Sequence, residues 1–267
     1  MSALNPSESV RAFFAFHLKR NREERGWSQP ELATRVHSPS DLVGGVETCS
    51  RRPTRKLSRM LDELFGLEQF FEALYPRVVE ESGLSPGFAE FIEAETEAGV
   101  IRMYENFLIT DLFQTKEYAR AVLQAGRPPN TVERLVAARV ERQEILHQDS
   151  PPMVVALLDS SALRRPFGGR EVMRAQLEHL LTSAELPHVH VHIVPEDAAL
   201  SAGGSFTLLS SANEPGRAYA ESAGGRGRTV DDAAYVAELD ELLDLIRSKA
   251  LNAEDSQVAI LKALEEL

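Results

Sequence analysis

Cysteine is almost missing from this 267-residue chain: Cys49 stands alone. One thiol excludes an intrachain disulfide framework and any multi-cysteine metal site, and it fits a reducing compartment. Long apolar runs are missing as well. No stretch approaches the roughly 20 apolar residues of a membrane helix. The opening residues also lack the basic segment, apolar segment and cleavage site of an export signal. The expectation is a soluble, cytoplasmic protein that makes no membrane contact. Internal repeats and low-complexity tracts are absent too.

At 43% hydrophobic content the chain can bury a real core, and its length suits one large or two modest domains. Its charge is unevenly spread. Residues 1–60 hold 11 Lys+Arg against 6 Asp+Glu, a net of +5, and the remainder holds 18 against 35, a net of −17. A basic opening of this kind suits a phosphate backbone, which the acidic body would repel unless the basic end is presented first.

The stretch from Leu18 to Pro53 has the pattern of a helix-turn-helix. A basic amphipathic helix, LKRNREERGWSQ, leads to a second short helix that opens at Ser28. There Ser28 and Glu31 have the S-x-x-E spacing of a capping box, and Pro30 falls in the first turn, where a missing N–H costs little. Leu32, Ala33 and Val36 form the buried stripe of helix two. A break at His37 and Ser38 precedes a third helix that buries Val43 and Val46. Two short helices around a tight turn are the frame that presents the second one to a major groove.

Gln29, Leu32, Ala33, Val43, Val46 and Glu47, followed by Arg51, Arg52 and Pro53, resemble without gaps the lambda-repressor-like regulators of the xenobiotic-response-element family. The resemblance implies binding to double-stranded DNA. Ser28 and Gln29 would then stand at the phosphate side, and Ser40, Asp41, Leu42, Gly44 and Gly45 at the base edges. Arg51, Arg52, Arg55 and Lys56 would contact backbone, with Lys19, Arg20 and Arg22 on the first helix. Direct readout is thin: Asp41 can accept from a cytosine amino group, Leu42 touches only a methyl, and glycines read nothing. Adjacent glycines also cost a helix about 1 kcal/mol each against alanine. The family's usual glycines in the turn and after the third helix are His37 and Cys49 here.

Beyond Pro53, apolar pairs at helical spacing, from Leu57 to Leu74, predict helices that close an N-terminal bundle. Gly83, Pro86 and Gly87 punctuate the chain, which sets a helix-turn-helix domain at 1–82 and a second domain at 83–267. In the second domain, Phe88 to Tyr104, Gln114 to Leu123 and Thr131 to His147 read as helices. From Met153 the texture changes. MVVALLD, His188–Val194, SFTLLSS and RAYAES read as strands, with a turn at Asn213, Pro215 and Gly216 and a short strand over Gly225–Val230. Helices are expected over Glu171–Leu186, from Asp231 to Ala250, and from Ala253 onward. The fold class is α+β: an all-α helix-turn-helix bundle, then helices and a small mixed α/β domain.

This half carries a second resemblance. Tyr104-Glu105, Gln114-Thr115, Tyr118-Ala119-Arg120, Val136-Ala137-Ala138-Arg139 with Glu141-Arg142-Gln143, Asp159, Ala162-Leu163-Arg164-Arg165-Pro166 with Gly168-Gly169, and Phe206-Thr207-Leu208-Leu209 are similar to strings that follow such helix-turn-helix domains in actinobacterial regulators. The likeness spans about Leu18 to Ile260. It implies an antitoxin-like transcriptional regulator with a C-terminal domain of unknown biochemical function, dimeric, and a partner for a small protein encoded beside it. One departure is Ile109-Thr110-Asp111-Leu112-Phe113, where that pattern has Pro-Gly before paired leucines.

Other chemistry is weaker. His188, His190 and His192 alternate along one strand face, a spacing that can bring two imidazoles to zinc, but a solvated polar face explains them better. Arg164-Arg165 before Gly168-Gly169 could cradle an anion at a helix start. No P-loop or dinucleotide fingerprint surrounds them, and a turn that needs glycine suffices. Asp231-Asp232 fit a helix cap, Ser160-Ser161 lack a visible base, and Cys49 reads as a packing residue. No enzyme, cofactor or metal site is expected. The alternative to a DNA-binding regulator is an antitoxin-like protein-interaction module whose helix-turn-helix no longer binds DNA.

Overall fold

The computed structural model describes residues 5–198, 202–211, 215–221 and 227–267. The chain divides into two compact units, the first ending at Pro86 and the second starting at Gly87.

The first unit is helical: α1 Val10–Glu24, α2 Gln29–Arg35, α3 Ser40–Glu47, α4 Arg55–Phe65 and α5 Phe70–Ser82. Helix α1 begins eight residues before the expected Leu18, because Ser9 caps it and Phe14 and Ala15 extend its buried stripe. Carboxylates from other helices satisfy N–H groups that a helix start leaves orphaned. Glu81 accepts from the amides of Val10 and Arg11 at 3.2 and 3.1 Å, and Asp62 accepts from Phe71 and Glu72 at 2.9 Å each. Phe14, Leu18, Leu32, Val36, Val43, Val46, Leu57, Leu61 and Phe71 form one core beneath these caps.

The second unit is built on one mixed sheet. Its elements run α6 Pro86–Thr96, β1 Val100–Glu105, α7 Lys116–Leu123, α8 Pro129–Gln143, β2 Met153–Asp159, α9 Arg170–Ser183 and β3 Val189–Val194. They continue with β4 Phe206–Ser210, β5 Arg217–Ala220, β6 Arg228–Val230, α10 Ala233–Arg247 and α11 Ala253–Glu265. Strand order is β3-β2-β1-β4-β5-β6, with β1, β2 and β3 parallel and the other pairings antiparallel. One face carries Met103, Val154, Ala156, Leu158 and Ile193 in a core shared with α9 and α11, and the other packs Val155, Leu157 and Phe206 with residues of α10.

The main correction to the sequence reading lies at 100–105. The helix expected over Phe88–Tyr104 ends at Thr96, and Val100–Glu105 is the strand between β2 and β4. Ile101 and Tyr104 continue the helical spacing of Phe88 and Phe91, so periodicity alone could not separate the two. Gly99 marks the break. Asp232 caps α10 by accepting from the Tyr235 amide at 2.9 Å. The expected turn at Asn213, the end of RAYAES at Ser222, and the strand start at Gly225 lie outside the described residues.

Candidate nucleic-acid interface and the polar cluster of the second unit

In the first unit, α2 and α3 are joined by Val36–Pro39, and the capping box at Ser28 is complete. Ser28 N donates to Glu31 Oε2 at 2.7 Å, and the Glu31 amide donates back to Ser28 Oγ at 3.3 Å. Ser28, Ser40 and Asp41 are exposed, Gln29, Leu42, Arg51 and Arg52 are half-buried, and Arg55 and Lys56 are exposed at the start of α4.

The side chains near α3 are already engaged. Arg22 and Glu47 form a buried bidentate pair at 2.6 and 2.9 Å; Arg22 also donates to the Trp27 carbonyl at 2.7 Å, and Gln29 Nε2 donates to Glu47 at 2.8 Å. This clasp ties α1, α2 and α3 together, and it removes Arg22 from the surface where the sequence reading had set it. Asp41 pairs with Arg51 at 2.7 Å. Lys19 and Arg20 stay exposed, each beside a glutamate one turn on. Arg55 lies 5.4 Å from the Tyr75 ring centre.

The two glycines of α3 now have a reason. A Cβ at Gly45 would stand 2.7 Å from Arg51 Cγ, and one at Gly44 would stand 3.1 Å from Gln29 Oε1. Gln29 and Arg51 therefore close onto adjacent glycines of the same helix. His37 and Cys49, at the two positions where the resembled family has glycine, adopt positive φ of 49° and 58°.

In the second unit the polar strings noted in the sequence converge. Arg142 on α8 is buried and donates to both oxygens of Glu95 on α6 at 2.6 Å, and it also donates to Asp111. Arg139, one turn earlier, donates to Gln114 Oε1, and the Gln114 amide donates to the Ile109 carbonyl at 2.6 Å. Gln143 Nε2 donates to the carbonyls of Asp111 and Gln114 at 2.7 and 2.8 Å. Glu95 was not singled out from sequence, and Asp111 figured there only within the departure Ile109–Phe113. Neither stands out locally: Glu95 lies among Glu90, Glu93 and Glu97, and Asp111 opens a short turn.

Electrostatics sort these groups. Burial works against the charge on Arg142, but Asp111 and Glu95 outweigh it and strengthen its hold on the proton. Burial also opposes ionised Asp111, yet Arg142 and Arg139 hold it below the usual carboxylate range. At the end of β1, burial first and the Glu221 carboxylate second push Glu105 well up; burial and Asp111 raise Glu221. Burial pushes the Tyr118 hydroxyl up to about 12.

The remaining candidates disperse. His188 and His192 meet the carbonyls of Leu146 and Leu251 at 3.0 and 2.9 Å, and His190 is exposed. Among the described residues no group of three His, Cys, Asp or Glu is arranged to hold a metal. Arg164 pairs with Glu196, and Arg165 lies 3.8 Å from the Phe107 ring centre. Gly168 has φ 77°, and a Cβ there would stand 2.9 Å from Val172, so this turn needs glycine for its own packing.

A helical unit followed by a mixed sheet makes this an α+β chain of two parts. The family model described as Domain of unknown function (DUF5753) matches residues 88–262, well over half of the chain, and the chain belongs to that family. No curated protein and no solved structure matches it. No helix of the described residues is long and apolar enough to cross a membrane.

Proposed function

We propose that the chain is a dimeric, antitoxin-like transcriptional regulator, with a first unit that binds double-stranded DNA and a second that binds a small protein partner or ligand. The observation that carries the reading is the set of α2 and α3, joined by four residues, in the part of the chain whose net charge is +5 while the rest carries −17. Ser40 and Asp41 begin α3 on an exposed surface, and Arg51, Arg52, Arg55 and Lys56 follow it. Cations in that position attract phosphates without reading sequence.

Fluorescence anisotropy of labelled duplexes tests this. Binding should fall steeply with salt, and Arg51→Ala with Arg52→Ala should weaken it on every sequence and reduce the salt slope by about one for each phosphate no longer neutralised. Binding that ignores both salt and these arginines overturns the reading.

A second reading, a protein-interaction module whose helix-turn-helix no longer binds DNA, draws on the internal pairs Arg51–Asp41 and Gln29–Glu47. Those contacts use donors that phosphates would otherwise take. This reading expects the neighbour-encoded protein to co-purify with the chain and no gel shift on promoter fragments.

A further inference from the structure

An inner strand of the sheet carries a charge into an apolar layer. Arg102 stands on β1, between β2 and β4, and it pairs in register with Val155 and Leu208. Both of those belong to the core beside α10, and residues opposite one another across strands share a face, so Arg102 points into that layer. A charge in such a place is costly unless partners answer it.

The chain answers it only in part. Asp240 on α10 comes within 2.6 Å of the Arg102 guanidinium, yet the contact lacks the alignment of a hydrogen bond, and the buried Asp240 Oδ1 has no hydrogen-bond partner. Among the described residues Arg102 makes no other ion pair and no side-chain hydrogen bond, although a guanidinium carries five N–H donors. Other buried pairs of this chain differ. Arg22 with Glu47 and Arg142 with Glu95 are each bidentate and use both carboxylate oxygens. Arg102 and Asp240 keep hydrogen-bonding capacity for something else.

Beside this pair lies a cavity of about 220 Å³. Ala233, Val236, Ala237 and Asp240, at i, i+3, i+4 and i+7, set one face of α10 along it, and Arg102 and Leu208 bound it on the sheet side. Alanine at two of those helix positions leaves the gap unfilled. Apart from Arg102, Asp240 and Ser210, the lining residues are apolar or glycine. Pockets for drug-sized ligands run to about 300–1,000 Å³, so an occupant here is smaller. The Asp240 side chain is 43% exposed, which leaves the charged end of the cavity open to solvent.

An anion alone would face Asp240, and a cation alone would face Arg102. Two opposite charges in contact are matched by a ligand whose own opposite charges are equally close, and an α-amino acid carries both on one carbon. We propose that this cavity binds a free α-amino acid with an aliphatic side chain about the size of leucine. Its carboxylate meets Arg102, its ammonium meets Asp240, and its side chain lies against Leu208 and Val236. A neutral primary amide could also reach both groups, but hydrogen bonds between ionised partners are about twice as strong. The site deepens the ligand-binding half of the proposed function and rests on that half. Its test contains no DNA, so it fails or succeeds separately from the duplex experiment.

Isothermal titration calorimetry of the full chain with leucine decides it. Leucine amide and N-acetylleucine each keep one charge, as the first and last residues of a peptide do; glycine lacks the side chain, and 4-methylpentanamide is neutral. Leucine should bind at millimolar concentration or below, and each of the other four should bind at least about tenfold more weakly. Arg102→Met and Asp240→Asn should each weaken leucine about tenfold or more with the circular dichroism spectrum unchanged. Ala237 is exposed at the rim, so Ala237→Leu should occupy the space and remove binding without touching the core. Should Arg102→Met misfold, Asp240→Asn and Ala237→Leu carry the test. Absence of leucine binding, equal or tighter binding of any of the four comparison compounds, or indifference of leucine affinity to these substitutions overturns the proposal. A pair that only fastens α10 to the sheet would give an earlier urea transition in Arg102→Met and Asp240→Asn but no heat with leucine, and that result overturns it too.

Discussion

Each unit buries an arginine among carboxylates, but with different arithmetic. In the first, Arg22 meets one buried carboxylate, Glu47, with the exposed Glu23 carboxylate 3.6 Å away, and the leftover hydrogen-bonding capacity is taken by Gln29 and the Trp27 carbonyl. Charge and hydrogen bonds both close within the clasp. In the second, Arg142 meets two carboxylates, and Arg139 faces two more. A closed pair needs nothing from outside and serves to hold three helices in register. An open cluster must be balanced by protons.

The largest effects should come from breaking either arrangement at its buried partner. Removing one member of a buried pair strands the other without water, a loss of about 3–5 kcal/mol. Arg142→Met leaves Glu95 buried and unpaired. Trp27, the sole tryptophan, lies in the first unit, so its fluorescence should keep its urea midpoint while circular dichroism shows an earlier transition. Glu47→Ala should reverse the pattern and shift the Trp27 transition by about 3 kcal/mol. Equal shifts of both signals in both variants would mean that the two units unfold as one.

A smaller effect separates the clusters by pH. Glu105 and Glu221 have raised values in the folded unit, so their contribution is complete below the ordinary glutamate value of 4.5 and is lost as pH rises through the raised values. Asp111 has a lowered value, so its contribution stands above 3.8 and is lost as pH falls through that lowered value. The thermal midpoint of the second unit should therefore rise on mild acidification from neutrality and fall again in stronger acid. In the double variant Glu105→Gln, Glu221→Gln the rise should vanish and the acid fall remain. Midpoints that keep rising in the double variant would remove these two glutamates as its source.

Much of the fold could be read from the chain, because it depended on local signals. The capping box at Ser28, the apolar stripes of α4 and α5, and the alternation in β3 each act within a few residues. Strand β1 was misread because a strand buried on both faces does not alternate polar with apolar, and its apolar spacing also suits a helix. The second-unit cluster was half legible. Glu105, Gln114, Arg139 and Arg142 stood out as strings, but their meeting depends on β1 and β5 sharing a row with α8 above it, which only tertiary structure supplies. Glycines 44 and 45 looked like a defect of α3 and proved to be clearance for Gln29 and Arg51, which lie 15 and 6 positions away along the chain.

The smallest effect concerns the ends of the helix-turn-helix rather than its core. His37 follows the last turn of α2 and Cys49 follows α3, both with φ in the left-handed region. There a Cβ costs an L residue about 1–2 kcal/mol, which glycine avoids at an entropic cost of about 0.5–1 kcal/mol in the unfolded chain. His37→Gly and Cys49→Gly should therefore each raise the stability of the first unit by about 0.5–1 kcal/mol, read as a later Trp27 transition in urea. His37→Ala retains the Cβ and should bring no such gain. If glycine and alanine at residue 37 behave alike, backbone strain is not what this turn carries, and the exposed imidazole itself must be the part that matters.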